Sequence, residues 1–144
     1  YAKDLRKVTG ILKMVSDLER IGDHAFDIMK YNKKFASGLI AKEKIQEIVE
    51  VVNGMIADAI MSYVKEDLAL ANSVINRDDI VDQAYDEFLQ LIIRSIDENK
   101  AASSLAIYTT IVVKYIERIA DHAVNIAEWV IYIISGYHKD KQIF

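Results

Sequence analysis

The 144-residue chain contains no cysteine and no proline, and it has only five glycines. Without cysteine it can form neither a disulfide nor a thiolate metal site. Without proline and with little glycine, it lacks the residues that most often interrupt long helices. It also lacks an uncharged apolar run of about 18 residues, the length that would predict a helical membrane span. Alanine, leucine, lysine, glutamate and isoleucine are plentiful, so the composition predicts an all-α fold.

The net charge of the chain argues against one class of function. The formal net charge is −4 at pH 7, whereas recognition of nucleic-acid phosphates needs a basic surface. This argues against a nucleic-acid-binding protein. The length is that of one domain, enough to bury most apolar side chains in a single core.

Apolar residues recurring every three or four positions predict four long helices. Their expected ranges are about 5–35, 42–75, 79–97 and 102–135. The stretch 36–38 is expected to end the first helix, and Gly136 the last. Asn76 or Asp78 is expected to cap the third helix, where Asp78 and Asp79 lie favourably near its positive end. Four helices with short polar connections predict an antiparallel helical bundle.

A duplicated polar motif is the most informative feature of the chain. Residues 19–28 and 117–126 are identical at seven of ten positions, and the shared residues include Glu, Arg, Asp and His. Packing alone rarely demands these residue types twice. The duplication therefore predicts a duplicated site and a repeated supersecondary unit.

Helical geometry predicts that the acidic residues of the motif point outward. At 100° per residue they form a stripe about 160° away from the apolar stripe of the last helix. In the last helix the stripe contains Glu117, Asp121, Asn125 and Glu128, and in the first helix it contains Glu19, Asp23 and Asp27. Carboxylates one turn apart repel each other. A bound cation or the neighbouring Arg118 would offset that repulsion.

The third helix begins with the same spacing, at Asp78, Asp82 and Asp86. Carboxylate oxygens are the preferred ligands of hard divalent and ferric ions, so the pattern indicates a multinuclear metal site. The alternative is a solvated acidic face, which is common for a single pair; the duplication of the whole motif favours the metal.

The basic residues of the motif have alternative roles. His24 and His122 are each either a ligand or a buried, hydrogen-bonded histidine. Arg20 and Arg118 are expected to pair with carboxylates across the bundle.

Residues 17–25 and 115–128 resemble the paired signature of the PhoU family of phosphate-signalling regulators. The resemblance continues through 2–6, 78–82 and 129–136. It implies two three-helix bundles side by side, each with a metal-binding acidic motif on its outer surface. Residues 1–36 would be the last helix of a truncated first repeat, and residues 37–144 a complete second repeat. Two helices that the family pattern places before Tyr1 would be missing.

The resemblance also implies the ligands. One site would use Asp78, Asp82, Glu117 and Asp121, with Asn125 as a weaker ligand where a carboxylate might have stood. The other would use Glu19, Asp23 and Asp27, with its partner helix outside this sequence. Iron, zinc, nickel and manganese are all candidates, because carboxylate sites accept several ions.

The function implied by the resemblance is regulation rather than catalysis. Such proteins restrain the phosphate-starvation response by linking a phosphate ABC transporter to a PhoR-type sensor kinase, in the cytoplasm at the membrane surface. The inward face of the first helix, with Ile11, Leu18, Ile21 and Ile28, needs a cover, so a lone chain is expected to form a homodimer or higher oligomer.

Two alternative functions remain. The same module occurs as a cytoplasmic tail of sodium-phosphate cotransporter-like proteins. A carboxylate-bridged di-iron enzyme is the other, but such sites use Glu-x-x-His pairs inside the bundle, and no Glu here is followed by His at that spacing.

Overall fold

A computed structural model describes residues 1–34, 38–139 and 141–142, and these are helical almost throughout. The all-α prediction is confirmed. The first and last helices agree with their predicted ranges to within three residues, while the predicted stop at 36–38 falls mainly outside the described residues. The helices are α1 (Ala2–Lys34), α2 (Lys42–Lys65), α3 (Leu68–Asn76), α4 (Asp78–Asp97) and α5 (Ser103–Ser135).

The predicted second helix over 42–75 was wrong, because the chain breaks between α2 and α3. Glu66 has a left-handed backbone conformation with a φ of 52°. Its N–H donates to the carbonyl of Tyr63, and the N–H of Asp67 donates to that of Ser62. The Asp67 side chain then accepts a hydrogen bond of 3.0 Å from the Leu70 N–H and so begins α3. This side-chain cap competes with a continuous helix.

The boundary between α3 and α4 also differs from the expected cap. Arg77, rather than Asn76 or Asp78, is the N-cap residue, and its side chain makes no capping bond. Its guanidinium instead donates to an Asp58 carboxylate oxygen at 2.6 Å, joining the turn to α2. Asp78 lies in the first turn of α4, as expected.

Helix α5 is the centre of the bundle and contacts each of the other four helices. Thirteen of its residues are buried, far more than a helix with a single apolar stripe would bury. In contrast, α1 packs only on α5 among the described helices. Gly10 allows a close approach there, because a Cβ at this position would collide with the Ile133 side chain.

The free face of α1 carries an exposed apolar stripe in two parts, residues 5–15 and 26–29, within each of which the spacing is three or four residues. Its members are between 46% and 65% exposed and are Leu5, Val8, Leu12, Val15, Phe26 and Met29. Across the ranges the structure describes, no helix has an 18-residue stretch apolar enough to cross a membrane.

A short hairpin that the sequence did not predict follows α5. Gly136, with a φ of 83°, ends the helix as expected. Strands β1 (Tyr137–His138) and β2 (Lys141–Gln142) then pair antiparallel, with Tyr137 opposite Gln142. The His138 ring stacks on Trp129 with ring centroids 3.9 Å apart, so the hairpin folds back onto α5.

Candidate metal centre

Three of the predicted ligands come together where α4 begins beside the middle of α5. Asp78 and Asp82 lie one turn apart on α4, and Asp121 faces them from α5. One carboxylate oxygen of each residue lies within 4.8 Å of the others. This is the only such group of three His, Asp or Glu side chains among the described residues.

The electrostatics of this cluster disfavour three free carboxylates. Burial, followed by the charges of Glu117, Asp78 and Asp82, raises the pKa of Asp121 to about 6. Burial is also the main cause that raises the pKa of Asp78 and of Asp82, with neighbouring carboxylates adding to it. In addition, Asp78 Oδ1 is buried without a hydrogen-bond partner. A hard divalent cation would satisfy both the excess charge and the unpaired oxygen.

Glu117 lies beside the cluster but already has a cationic partner. Its side chain is only 14% exposed, and Lys114 Nζ donates to its Oε2 at 2.8 Å. That hydrogen bond is the main cause that raises the pKa of Lys114. The Lys114 ammonium also lies 5.1 Å from the Tyr85 ring centroid. Sequence reasoning missed Lys114, although it lies one turn before Glu117 on the same helix face.

Asn125 is not part of the cluster and contacts α1 instead. Its side-chain amide donates to Asp17 Oδ1 at 3.3 Å. The same oxygen lies 2.8 Å from His122 Nδ1. Asp17 therefore joins α1 to α5. The only signal for this role was that Asp17 has no acidic counterpart in the second repeat, where the equivalent residue is Tyr115.

The prediction that the acidic stripe of α5 points outward was wrong for three of its four residues. Glu117 and Glu128 are only 14% and 17% exposed, and Asn125 is half-buried. The helical-wheel argument assumed one packed side, whereas α5 is central and its polar stripe faces α4 and α1. The polar stripe of α5 therefore lies at the contacts of α5 with α4 and α1.

The equivalent residues of α1 behave differently, because no described helix packs against their side. Asp23 is 63% exposed and lies 3.6 Å from Arg20 on its own helix. Asp27 lies 3.6 Å from Lys30. Glu19 is exposed. These three carboxylates belong to no cluster of three ligands in the described residues.

The expected pairing of the motif arginines across the bundle was wrong for Arg20, which pairs with Asp23 within α1. Arg118 is exposed. In the ranges covered by the structure, it forms no ion pair with a carboxylate across the bundle.

The two motif histidines meet at the contact between α1 and α5. Their ring centroids are 5.6 Å apart, so equivalent positions of the two repeats face each other. His24 is 4% exposed, and its ring lies 5.5 Å from that of Tyr115. Burial, followed by the charge of Arg20, lowers its pKa. Of the two roles left open, the hydrogen-bonded one describes His122, through its contact with Asp17. His24 is buried, but its Nδ1 has no hydrogen-bond partner in the described residues.

This fold and its doubled motif define a class of all-helical bundles with a central last helix. The chain matches the PhoU domain model over residues 1–31 and 45–130. It is 37% identical over 142 residues to a phosphate-specific transport system accessory protein PhoU homologue of Clostridium acetobutylicum, covering 96% of this chain and 64% of the relative. An Aquifex aeolicus homologue is also 37% identical, over 94% of this chain and 62% of the relative.

Solved structures agree with these matches. The crystal structure of PhoU from Pseudomonas aeruginosa superimposes with a TM-score of 0.89 at 34% identity, over 95% of this chain and 67% of that one. PhoU from Streptococcus pneumoniae gives 0.88 at 27% identity, over 96% of this chain and 67% of that one. The chain belongs to the PhoU family. It spans slightly less than two thirds of the length of the relatives above.

Proposed function

We propose that the chain is a regulatory component of phosphate transport, without catalytic activity of its own. The observation that carries this is the PhoU domain match over most of the chain. The relatives that match nearly the whole length of this chain are named as phosphate-specific transport system accessory proteins. The role we infer is restraint of the phosphate-starvation response through contact with a phosphate ABC transporter ATPase, a PhoR-type sensor kinase, or both. This role would place the chain in the cytoplasm, at the inner face of the membrane.

Affinity capture from native lysate of cells grown in high and low phosphate tests this role. Mass spectrometry should identify a phosphate-transporter ATPase or a sensor kinase among the bound proteins, with recovery that depends on phosphate. Recovery of neither, together with membrane-spanning peptides of the same gene product, would instead favour the cotransporter tail.

We also propose that Asp78, Asp82 and Asp121 hold a divalent or ferric cation, with Glu117 as a fourth carboxylate once Lys114 moves aside. Three observations support this: the convergence of oxygens within 4.8 Å, the raised pKa of Asp121, and the buried, unpaired oxygen of Asp78. Carboxylates alone do not choose between iron, zinc, nickel and manganese.

We propose a second cation site on α1 that needs a further helix to complete it. Glu19, Asp23 and Asp27 keep the spacing of the motif, but they would need an acidic helix packed beside them, as α4 packs beside α5. We do not include Asn125 among the ligands of the first site, because its side-chain amide contacts Asp17 instead.

Equilibrium dialysis against Zn²⁺ or Mn²⁺, followed by elemental analysis, tests the first site. The wild-type protein should retain metal, and Asp121→Ala should lose most of it. Asp23→Ala is a matched control, because Asp23 is the repeat equivalent of Asp121 but is 63% exposed and has no acidic helix packed beside it in the described residues. Equal retention by wild type and Asp121→Ala would remove Asp121 from the site.

We further propose that the free face of α1 mediates self-association of the chain. From Leu5 to Val15 the exposed stripe has the three- and four-residue spacing of a helix-packing seam. Leu12, at 65% exposed, lies within it. Light scattering at micromolar concentration should therefore show a dimer or larger species, and Leu12→Lys should shift it toward monomer. A strictly monomeric wild-type protein would contradict this.

A further inference from the structure

Glu128 is a half-buried carboxylate whose cationic neighbours belong to the C-terminal hairpin. It is 17% exposed, and its Oε2 has no hydrogen-bond partner. Lys139 Nζ lies 3.4 Å from that oxygen, and His138 Nε2 lies 3.9 Å from it. Because the Lys139 side chain is 60% exposed, its contact with Glu128 is weak and easily exchanged.

Glu128 also belongs to the electrostatic environment of the metal centre. It follows Asp121 by seven residues, which places it on the same face of α5, about 10 Å along the helix axis. Burial is the main cause that raises the pKa of Asp78, and the charge of Glu128 adds to it. Asp78 Oδ1 and Glu128 Oε2 are the two carboxylate oxygens in the described residues that are buried without a hydrogen bond.

We propose that the hairpin is a clasp that opposes cation binding: Lys139 compensates the charge of Glu128 while the metal centre is empty, and a bound cation takes over that role and releases the hairpin. This inference rests on the proposed metal function. A cation near Asp78 attracts Glu128 and repels Lys139, so cation binding and hairpin docking weaken each other. The coupling must be reciprocal.

The fluorescence of Trp129, the single tryptophan of the chain, provides a signal for release of the hairpin. Trp129 follows Glu128, and the hairpin covers it through the His138 ring, stacked at 3.9 Å and 15° from parallel. Release of the hairpin removes this cover. Trp129 emission should then shift to the red, and the indole should become more accessible to acrylamide.

The experiment is a Zn²⁺ titration followed in parallel by calorimetry and by Trp129 fluorescence. We expect the fluorescence change to share its midpoint with the heat of binding and to approach the spectrum of His138→Ala, whose hairpin cannot stack. Asp121→Ala should abolish the response, which excludes direct binding of Zn²⁺ to His138. Lys139→Met should tighten Zn²⁺ binding by up to about fivefold, the limit set by a contact with an exposed lysine.

The two ways in which the proposal can fail are distinct. Binding of Zn²⁺ with unchanged Trp129 fluorescence, or equal affinity in Lys139→Met, would overturn the clasp and leave the metal centre standing. Absence of any heat of binding would overturn the metal centre and the clasp with it.

Discussion

Replacing Asp121 by asparagine should stabilise the metal-free protein at neutral pH. The pKa of Asp121 rises from its ordinary value of 3.8 to about 6 in the folded chain, first because of burial and then because of the surrounding carboxylates. The folded state therefore binds this proton more tightly than the unfolded state does. As the pH rises from about 4 to about 6, stability is lost, and above that range the full penalty is present. Asparagine carries no charge, so the Asp121→Asn variant does not suffer this loss of stability.

The magnitude follows from the size of the pKa change. In a site that excludes solvent, the change in the pKa of Asp121 would correspond to about 3 kcal/mol in the free energy of unfolding. Solvent reaches this cluster and screens the repulsion, so we expect a gain of about 1–2 kcal/mol in the free energy of unfolding.

The assay is urea denaturation followed by circular dichroism, with a chelator present, at several pH values between 4 and 8. Asp121→Asn should be more stable than wild type at pH 7.5 and nearly equal to it at pH 4. Asp23→Asn, the equivalent exposed position, should differ little from wild type at either pH. A stability difference for Asp121→Asn that is absent at pH 7.5, or that does not change with pH, would refute the electrostatic reasoning.

Four further predictions concern the fold, each measured by the free energy of unfolding. Gly22→Ala should stabilise α1 by about 0.5–1 kcal/mol, since a Cβ there meets nothing. Gly10→Ala should be destabilising despite the same helix gain, because its Cβ collides with Ile133; equal effects at both glycines would contradict the close packing of α1 on α5. Asp17→Ala should cost about 1–3 kcal/mol by leaving two partners on α5 unpaired, and a neutral result would show that this link is unimportant. Glu66→Gly should stabilise by about 1 kcal/mol by relieving a left-handed backbone, and unchanged or lower stability would contradict strain at this turn.

Much of the fold was predictable because it depends on local patterns. The spacing of apolar residues located α1, α4 and α5, and Gly136 marked the end of α5. The break at Glu66 was not predictable in this way. It needs a non-glycine residue in a left-handed conformation, and only the cap at Asp67 hinted at it. The hairpin was missed because its docking depends on the stacking of His138 on a residue of α5.

The convergence of three acidic side chains was predicted in part for the same reason, whereas their role as metal ligands stays a prediction. Helical spacing put Asp78 and Asp82 on one face of α4, and the repeat singled out Asp121. The wheel could not show that α5 is surrounded by other helices, which turns Asn125 toward Asp17 of α1. The division of the chain into repeats at residues 36 and 37 stays a prediction.

Anomalous diffraction from crystals soaked in Zn²⁺ or Mn²⁺ would test the central claim, that α4 and α5 together build a cation site, most directly. The account predicts a peak at the absorption edge of the metal between the carboxylates of Asp78, Asp82 and Asp121, and loss of that peak in Asp121→Ala. A peak confined to other residues, or no peak in well-ordered crystals of the wild-type protein, would contradict it.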